Sequence, residues 1–550
     1  MNPLLARLDA AGTTVKVLTR AGVIRPYGPR TLVGLGRTVA TWGVGPAGGF
    51  TAQAVRDPHE PAVIDDRGTI TWAELEERSN AVARGLRRLG VGPGDSVALM
   101  TRNHAGFVEA LIGICKLGAD VLLMNTAFSG PQLADVAARE KPAAIVHDQE
   151  FTGLLHDVAS AVRVVAWVDD ESSLGDAITL DGLIDGPASS DEPLRPPAEE
   201  SRIVILTSGT TGTPKGAPRT AGIEAAVALL SRIPLKRGWR CHVAAPMFHT
   251  WGFAHLALAM LLGTVVVLRR RFDPEECLRV TQDERCDSMA VIPVMLQRIL
   301  TLPQETLDSY DLSRVQVVAA SGSALPGDLA TRWMDQYGEN LYNTYGSTEV
   351  AYATIANPAD LREAPGTAGK PPWSTTVRVL DPEGVEVPAG ESGRIFVGNG
   401  MLFEGYTGGG HKEVVDGLMA TGDVGRIDAA GHLFVEGRDD EMIVSGGENV
   451  FPQEVEDCLA HHEGVVEVAA IGVVDDDFGQ RLKAFVVRAS EASVDEDELK
   501  EWVRANLARY KVPREIVFLD ELPRNATGKI LKRELAEDGS QSTEEDPPAS

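Results

Sequence analysis

Paired cysteines, positive charge and long apolar runs are all scarce in this 550-residue sequence. The five cysteines, Cys115, Cys241, Cys277, Cys286 and Cys458, are scattered and form no C-x-x-C pair. That pattern excludes a disulfide framework and a thiolate zinc site, and leaves them as small buried hydrophobes. Lys and Arg total 52 against 79 Asp and Glu, a formal charge of −27, which repels polyanions and argues against nucleic acid as a partner. The most apolar stretch, FAHLALAMLLGTVVVL (253–268), is interrupted by His255 and Gly263. It is too short for a membrane span and reads as a buried helix followed by a strand. No signal peptide and no internal repeat are visible, so a cytoplasmic protein is expected.

The length exceeds what one core supports, so two or more domains are expected. From about residue 60 short β-branched runs alternate with helical segments, the pattern of parallel α/β architecture. Thr71 and Glu74 form a capping box that opens one helix. SVALM, VLLMN and AAIVHD read as one strand series, and IVILTSG, CHVAAP, VVVL, MAVIP and VQVVAASG as a second. Near Gly366 the texture changes to alternating runs with Gly, Pro and Asp, which suggests antiparallel strands or a small β-barrel. The expected fold is a large N-terminal α/β domain (51–438), made of two α/β sheet subdomains plus the barrel, a hinge at 439–440, and a smaller mobile α+β domain (441–535). Residues 536–550 hold five acids and no base and read as a disordered tail. Residues 1–50 form a basic extension with six Lys or Arg and one acid, Asp9. Within it Leu32, Leu35, Val39 and Trp42 recur at helical spacing. This fits a helix packed on its own domain or, alternatively, a weak peripheral contact with a membrane surface.

The strongest local signal is TSGTTGTPKG (207–216), directly after the strand IVIL. Its glycines let the backbone approach a ligand, its hydroxyls can donate to phosphate oxygens, and Lys215 adds charge. The pattern differs from the G-x-x-x-x-G-K-[ST] loop, because Pro214 stands where the second Gly belongs and Gly216 follows the Lys. Residues 201–250 hold seven bases against one acid, Glu224, so an anion is expected there.

TSGTTGTPKG resembles the signature of the adenylate-forming (AMP-binding) superfamily. The resemblance continues in order through PMFHTWG (246–252), SGSALP (321–326), YNTYGSTEV (342–350), TGDVGR (421–426), GRDDEMIVSGGENVFPQEVE (437–456) and LPRNATGKILKREL (522–535). It implies an ATP-dependent acyl-CoA synthetase, with ATP, Mg2+ and coenzyme A as cofactor and cosubstrates and a small carboxylic acid as partner. Thr207, Ser208, Gly209, Thr210, Thr211, Gly212 and Lys215 would cradle phosphate. Gly322, Ser323 and Ala324 would offer backbone groups to the adenine edge, and Tyr345 would lie against its face, flanked by Thr344 and Gly346. Thr348 would place a hydroxyl near the α-phosphate, and Glu349 a carboxylate on the metal. Asp423 and Arg438 would hold the ribose, and His249 would sit at the acyl-carboxylate end of the pocket. Asp440 would be the hinge, Gly446 would border the pantetheine arm, and Lys529 would be the catalytic lysine of the small domain.

The chain looks closest to bacterial fatty-acyl-CoA synthetases, so a medium or long acyl chain is the expected substrate, with aryl acids as the other possibility. A ligase that loads a carrier protein and a non-catalytic acyl-nucleotide sensor are the competing functions.

Overall fold

The computed structural model describes residues 3–158, 162–186, 193–207, 215–219, 223–347, 349–403, 405, 411–439, 443–445, 448–475, 479–489, 494–525 and 528–541. Two α/β sheets make up most of the large domain. The eight-stranded one runs, from edge to edge, Thr354–Ala356, Leu341–Tyr345, Val317–Ala320, Ser288–Val291, Arg240–Val243, Val265–Val267, Pro61–Asp65 and Gly68–Thr71. Its inner pairings are parallel, and each edge closes with an antiparallel strand. The seven-stranded one runs Ile178–Thr179, Val162–Trp167, Ala144–Asp148, Ser96–Met100, Asp120–Leu123, Ile203–Thr207 and Lys215–Arg219.

IVIL therefore belongs to the seven-stranded sheet with SVALM, VLLMN and AAIVHD, where Val204 pairs with Leu122, and not to the later series with which sequence order grouped it. A strand buried on both faces reads as apolar wherever it pairs, so its text does not name its neighbour.

Local chemistry explains the elements. The Thr71–Glu74 capping box is formed and starts the helix Trp72–Arg88. The helix Ala105–Leu117 is buried on every side, which accounts for its unbroken apolar text. Its two charges are paired, Glu109 with Arg78 at 2.5 Å and Lys116 with Glu76 at 2.8 Å, as burial of a charge demands. The apolar stretch at 253–268 falls in the helix Thr250–Leu262, which ends on Gly263 in the left-handed region and passes to the strand Val265–Val267. Among the described residues no helix is long and apolar enough to cross a membrane.

A five-stranded antiparallel sheet (Thr376–Leu380, Gly393–Gly398, Val414–Val415, Leu418–Ile427, Leu433–Arg438) stands where the change of texture was expected. The small domain builds its own sheet from Ile443–Ser445, Glu448–Val450, Val465–Asp475, Gly479–Arg488 and Glu515–Leu519, with the helices Pro452–Ala460 and Glu496–Asn506 packed on it. Residues 536–541, read from composition as tail, belong to a final helix, Lys532–Gln541. The buried Leu535 in its first turn anchors it to the sheet. Residues 542–550 lie outside the described residues.

Three helices precede the first strand: α1 (Pro3–Arg20), α2 (Pro29–Trp42) and α3 (Pro46–Arg56). The second carries the stripe expected to pack inward, but Leu32 and Val39 point outward. Thr38 is buried instead, and a Cβ on Gly34 would lie 2.7 Å from Val55 of α3. Both faces of this helix are apolar, so spacing alone could not choose between them.

Burial also sets an acid limit. His242 and His255 are enclosed, and desolvation presses each pKa down to about 4. An unfolded His titrates near pH 6.5, so between about 6.5 and 4 the unfolded chain binds the extra protons. This stability is complete above pH 6.5 and is lost as pH falls towards 4, at about 3 kcal/mol per histidine. Denaturant midpoints should fall between pH 7 and 5, and His255→Leu should flatten that slope; an unchanged slope would contradict the assignment.

Candidate active site

Open parallel sheets bind ligands beyond the carboxyl ends of their strands. Here Ser288–Val291, Val317–Ala320 and Leu341–Tyr345 are adjacent and parallel. Their ends bring Ile292, the segment Ser321–Gly322–Ser323–Ala324, and Thr344–Tyr345–Gly346 together. The Ser321 hydroxyl donates to the carbonyl of Thr344 at 2.7 Å and ties two of these ends. Gly322 has φ +103, and a Cβ on Gly346 would sit 2.3 Å from the carbonyl oxygen of Ala351. Side chains are excluded at both positions.

The antiparallel sheet contributes Asp423. Gly422 turns at φ +86, and Thr421 holds the turn by accepting from the Asp423 amide and donating to the Ile395 carbonyl, each at 3.1 Å. Asp423 pairs in register with Arg438 on the next strand, and the guanidinium reaches its carboxylate at 3.4 Å. From the other side the Tyr345 hydroxyl donates to the same carboxylate at 2.5 Å. Burial raises the Asp423 pKa, opposed by the Tyr345 hydrogen bond and then by Arg438, Lys529 and Lys412. The Tyr345 phenol is pushed well above its usual value by burial and by the adjacent Asp423 charge. Tyr345 and Asp423, expected as separate base and sugar contacts, thus form one unit.

Lys529 belongs to a turn in which its amide donates to the Asn525 side chain at 2.9 Å and its carbonyl accepts from the Asn525 amide at 2.9 Å. Gly528, buried and at φ +76, presses on the large domain: a Cβ there would lie 2.4 Å from Val294 and 3.1 Å from Ile292. Nearby, Gln297 donates to the Val466 carbonyl at 2.8 Å. The small domain is therefore seated on the helix Pro293–Leu300, with the exposed Lys529 acting electrostatically on Asp423.

His249 caps the start of the helix Thr250–Leu262. Its Nε2 and the Thr344 hydroxyl are buried without a hydrogen-bond partner, an unfavourable state that a bound polar ligand would relieve. Desolvation lowers the His249 pKa to about 3, so the ring is neutral at pH 7. A Cβ on Gly252 would lie 2.3 Å from the Pro246 carbonyl, which fixes the glycine of the PMFHTWG segment. Glu349 is half-buried; its amide donates to the Ser347 hydroxyl at 3.2 Å and its carbonyl accepts from Phe403 at 2.8 Å. Among the described residues no group of three or more His, Cys, Asp or Glu could hold a metal.

Thr207 and Lys215 pair at the mouth of a hairpin, so the expected cradle is the connection between two antiparallel strands. Ser208, Gly209, Thr210, Thr211, Gly212, Thr348, Asp440 and Gly446 lie outside the described residues. Sequence reasoning missed Ile292 and Val294, whose apolar text looks like core. It also missed Lys412, whose Nζ lies 3.3 Å from the Cβ position of Gly422 beside Arg438. Only its charge next to the TGD segment could have flagged it.

Tyr345 at a strand end, Asp423 and Arg438 on the antiparallel sheet, and Lys529 of the small domain thus converge on one site. The chain belongs to the AMP-binding enzyme family: that family's model matches residues 50–407, and the model of the AMP-binding enzyme C-terminal domain matches 454–529. It is similar to feruloyl-CoA synthase of Amycolatopsis sp, 36% identical over 88% of this chain and 96% of that protein. It is also similar to 2-succinylbenzoate–CoA ligase of Geobacillus kaustophilus, 34% identical over 88% and 96%. Among solved structures, an anthranilate CoA ligase in complex with anthranoyl-AMP aligns with TM-score 0.81 and 26% identity over 90% of this chain and 98% of that one. The o-succinylbenzoate CoA synthetase from Bacillus subtilis aligns with TM-score 0.76 and 26% identity over 91% and 98%. The chain is an AMP-forming acid–thiol ligase.

Proposed function

We propose that this ligase joins coenzyme A to a carboxylic acid bearing an aromatic ring, by way of an acyl-adenylate. The observation that supports the adenylation chemistry is the seating of Gly528 on Ile292 and Val294, beside Lys529, whose charge acts on Asp423. In this arrangement Asp423, fixed by Tyr345 and Arg438, accepts from the ribose hydroxyls. Lys529 balances the negative charge that gathers as the carboxylate meets the α-phosphate, a preorganised charge contact of the kind that dominates such catalysis. The neutral His249 ring donates an N–H to the acyl carboxylate without adding charge. Mg2+, held by Glu349 with phosphate oxygens, would supply charge neutralisation for the departing pyrophosphate. Thr207–Gly212 and Lys215 would cradle the phosphates. The thiolate of coenzyme A would then attack the acyl-adenylate carbonyl, forming the thioester as the bond to the phosphate oxygen breaks and AMP leaves, with Gly446 as the residue proposed to border the pantetheine arm.

The substrate class departs from the fatty acid expected from sequence. Several of the similar proteins are named for feruloyl, 2-succinylbenzoate, indoleacetate and anthranilate substrates. A fatty acyl CoA synthetase from Mycobacterium tuberculosis aligns less closely, with TM-score 0.68. CoA-dependent AMP release should be measured with ferulate, 2-succinylbenzoate, indoleacetate, octanoate and palmitate. At least one aryl acid is expected to exceed both fatty acids by about tenfold in kcat/KM, the discrimination a shaped apolar pocket provides. Faster turnover of a fatty acid than of every aryl acid would restore the original expectation.

A further inference from the structure

We infer that the outward face of α2 docks the protein on an anionic lipid surface. This helix is held in one orientation. Gly34 packs against Val55, Trp42 lies over the buried Lys116 with its ammonium 6.0 Å from the ring centroid, and Glu200 accepts from the Val44 and Gly45 amides at 3.0 and 3.4 Å. With Thr38 turned inward, the opposite side presents Leu32, Val33 and Val39, which are 54%, 72% and 47% exposed. Gly36 and Ala40 lie between them, also exposed. At 100° per residue these side chains fall in one continuous sector. Arg30 and Arg37, both exposed and two turns apart, line a single flank of it. Val44, just beyond the helix, extends the apolar surface at 69% exposure.

An apolar face edged by arginines on a helix lying flat against its own domain is the arrangement that settles at a headgroup boundary. Charge selects the occupant. Residues 1–50 carry +5 while the whole chain carries −27, so the remainder carries −27 − 5 = −32. The basic run at 201–250 has Arg202, Arg232, Arg237 and Arg240 paired with carboxylates, whereas Arg30 and Arg37 flank an exposed apolar face. An anionic membrane therefore favours approach through α2, while the net charge of the remainder is repelled. A second copy fits less well in an antiparallel symmetric contact, which would bring the Arg30–Arg37 flanks of both copies together. The face also precedes the shared enzyme, since the family model begins at residue 50. The inference is independent of which acid the enzyme activates. The helix is connected to the site through packing alone: α3, on which α2 packs, reaches the last turn of Thr250–Leu262, where Gln53 donates to the Met260 carbonyl at 2.5 Å. His249 caps the other end of that helix.

The full chain should be co-sedimented with phosphatidylcholine vesicles with and without phosphatidylglycerol, at low and high salt. It is expected to bind only the vesicles containing phosphatidylglycerol, and to release at high salt. Arg30→Ala and Arg37→Ala should each lower partition by about fivefold, and Leu32→Ser with Val33→Ser and Val39→Ser should abolish it. All these variants should retain CoA-dependent AMP release in vesicle-free buffer, which shows that they fold. Equal partition of wild type and variants, binding that ignores phosphatidylglycerol, or no binding at low salt would overturn the inference. So would a vesicle-independent dimer that Val33→Ser converts to monomer, because the face would then be a protein interface.

Discussion

Lys529→Ala should lower acyl-adenylate formation by on the order of 10² or more while leaving thioester formation intact, the scale expected for losing one preorganised charge contact. The lysine stands on a turn of the small domain, and that turn meets the large domain only because Gly528 fits against Val294. Charge and seating can therefore be separated. Gly528→Val keeps the lysine but puts a side chain 2.4 Å from Val294 at a backbone angle that favours glycine, so it should depress the same half-reaction by unseating the domain. Pyrophosphate release reports the first step, and a synthetic aryl-adenylate mixed with CoA reports the second. If Lys529→Ala slowed both steps equally, the lysine would act in one shared geometry and an alternation of the small domain between two seats would have to be given up.

Asp423→Ala should reduce kcat/KM for ATP by about 10²-fold or more, since hydrogen bonds to a charged group are each worth about 1.5–3 kcal/mol and two ribose hydroxyls would lose theirs. The substitution also leaves the Tyr345 hydroxyl and the Arg438 guanidinium facing an uncharged gap. Asp423→Asn keeps the shape and some of the bonding, so its loss should be smaller. Tyr345→Phe should raise KM for ATP with little change in kcat, because it loosens the carboxylate without removing it. Isothermal titration with a non-hydrolysable ATP analogue separates binding from turnover. Unchanged affinity in Asp423→Ala would remove the carboxylate from the sugar site.

Short, ordered strings made the site legible. TGD, YGSTE and NATGK each combine a backbone turn with a charged or hydroxyl group, and few sequences hold such combinations by chance. The capping box at Thr71 and the helix it opens follow from local text, whereas the turn at Gly422 and the cross-strand pairing of Asp423 with Arg438 came from the structure. What escaped was set by long-range packing. Ile292 and Val294 are apolar residues at a strand end and look like any core residue until a glycine from the other domain lies on them. The strand Ile203–Thr207 carries no mark of the sheet it joins. The orientation of α2 was ambiguous because apolar residues occur on both its sides, and Gly34 and Thr38 decide it through fit rather than hydropathy.

The order of strands also has a consequence for synthesis. Pro61–Asp65 completes its place in the eight-stranded sheet only when Val63 meets Val266, after the whole intervening seven-stranded sheet has been made. At about 5–20 residues per second the ribosome needs roughly 10–40 s to supply that partner. Throughout that interval an apolar strand and its hairpin mate, Gly68–Thr71, are available to the wrong neighbours. The nascent chain should therefore need shielding of this strand until residue 267 has cleared the exit tunnel, and of the Arg240–Val243 edge until Ser288–Val291 follows.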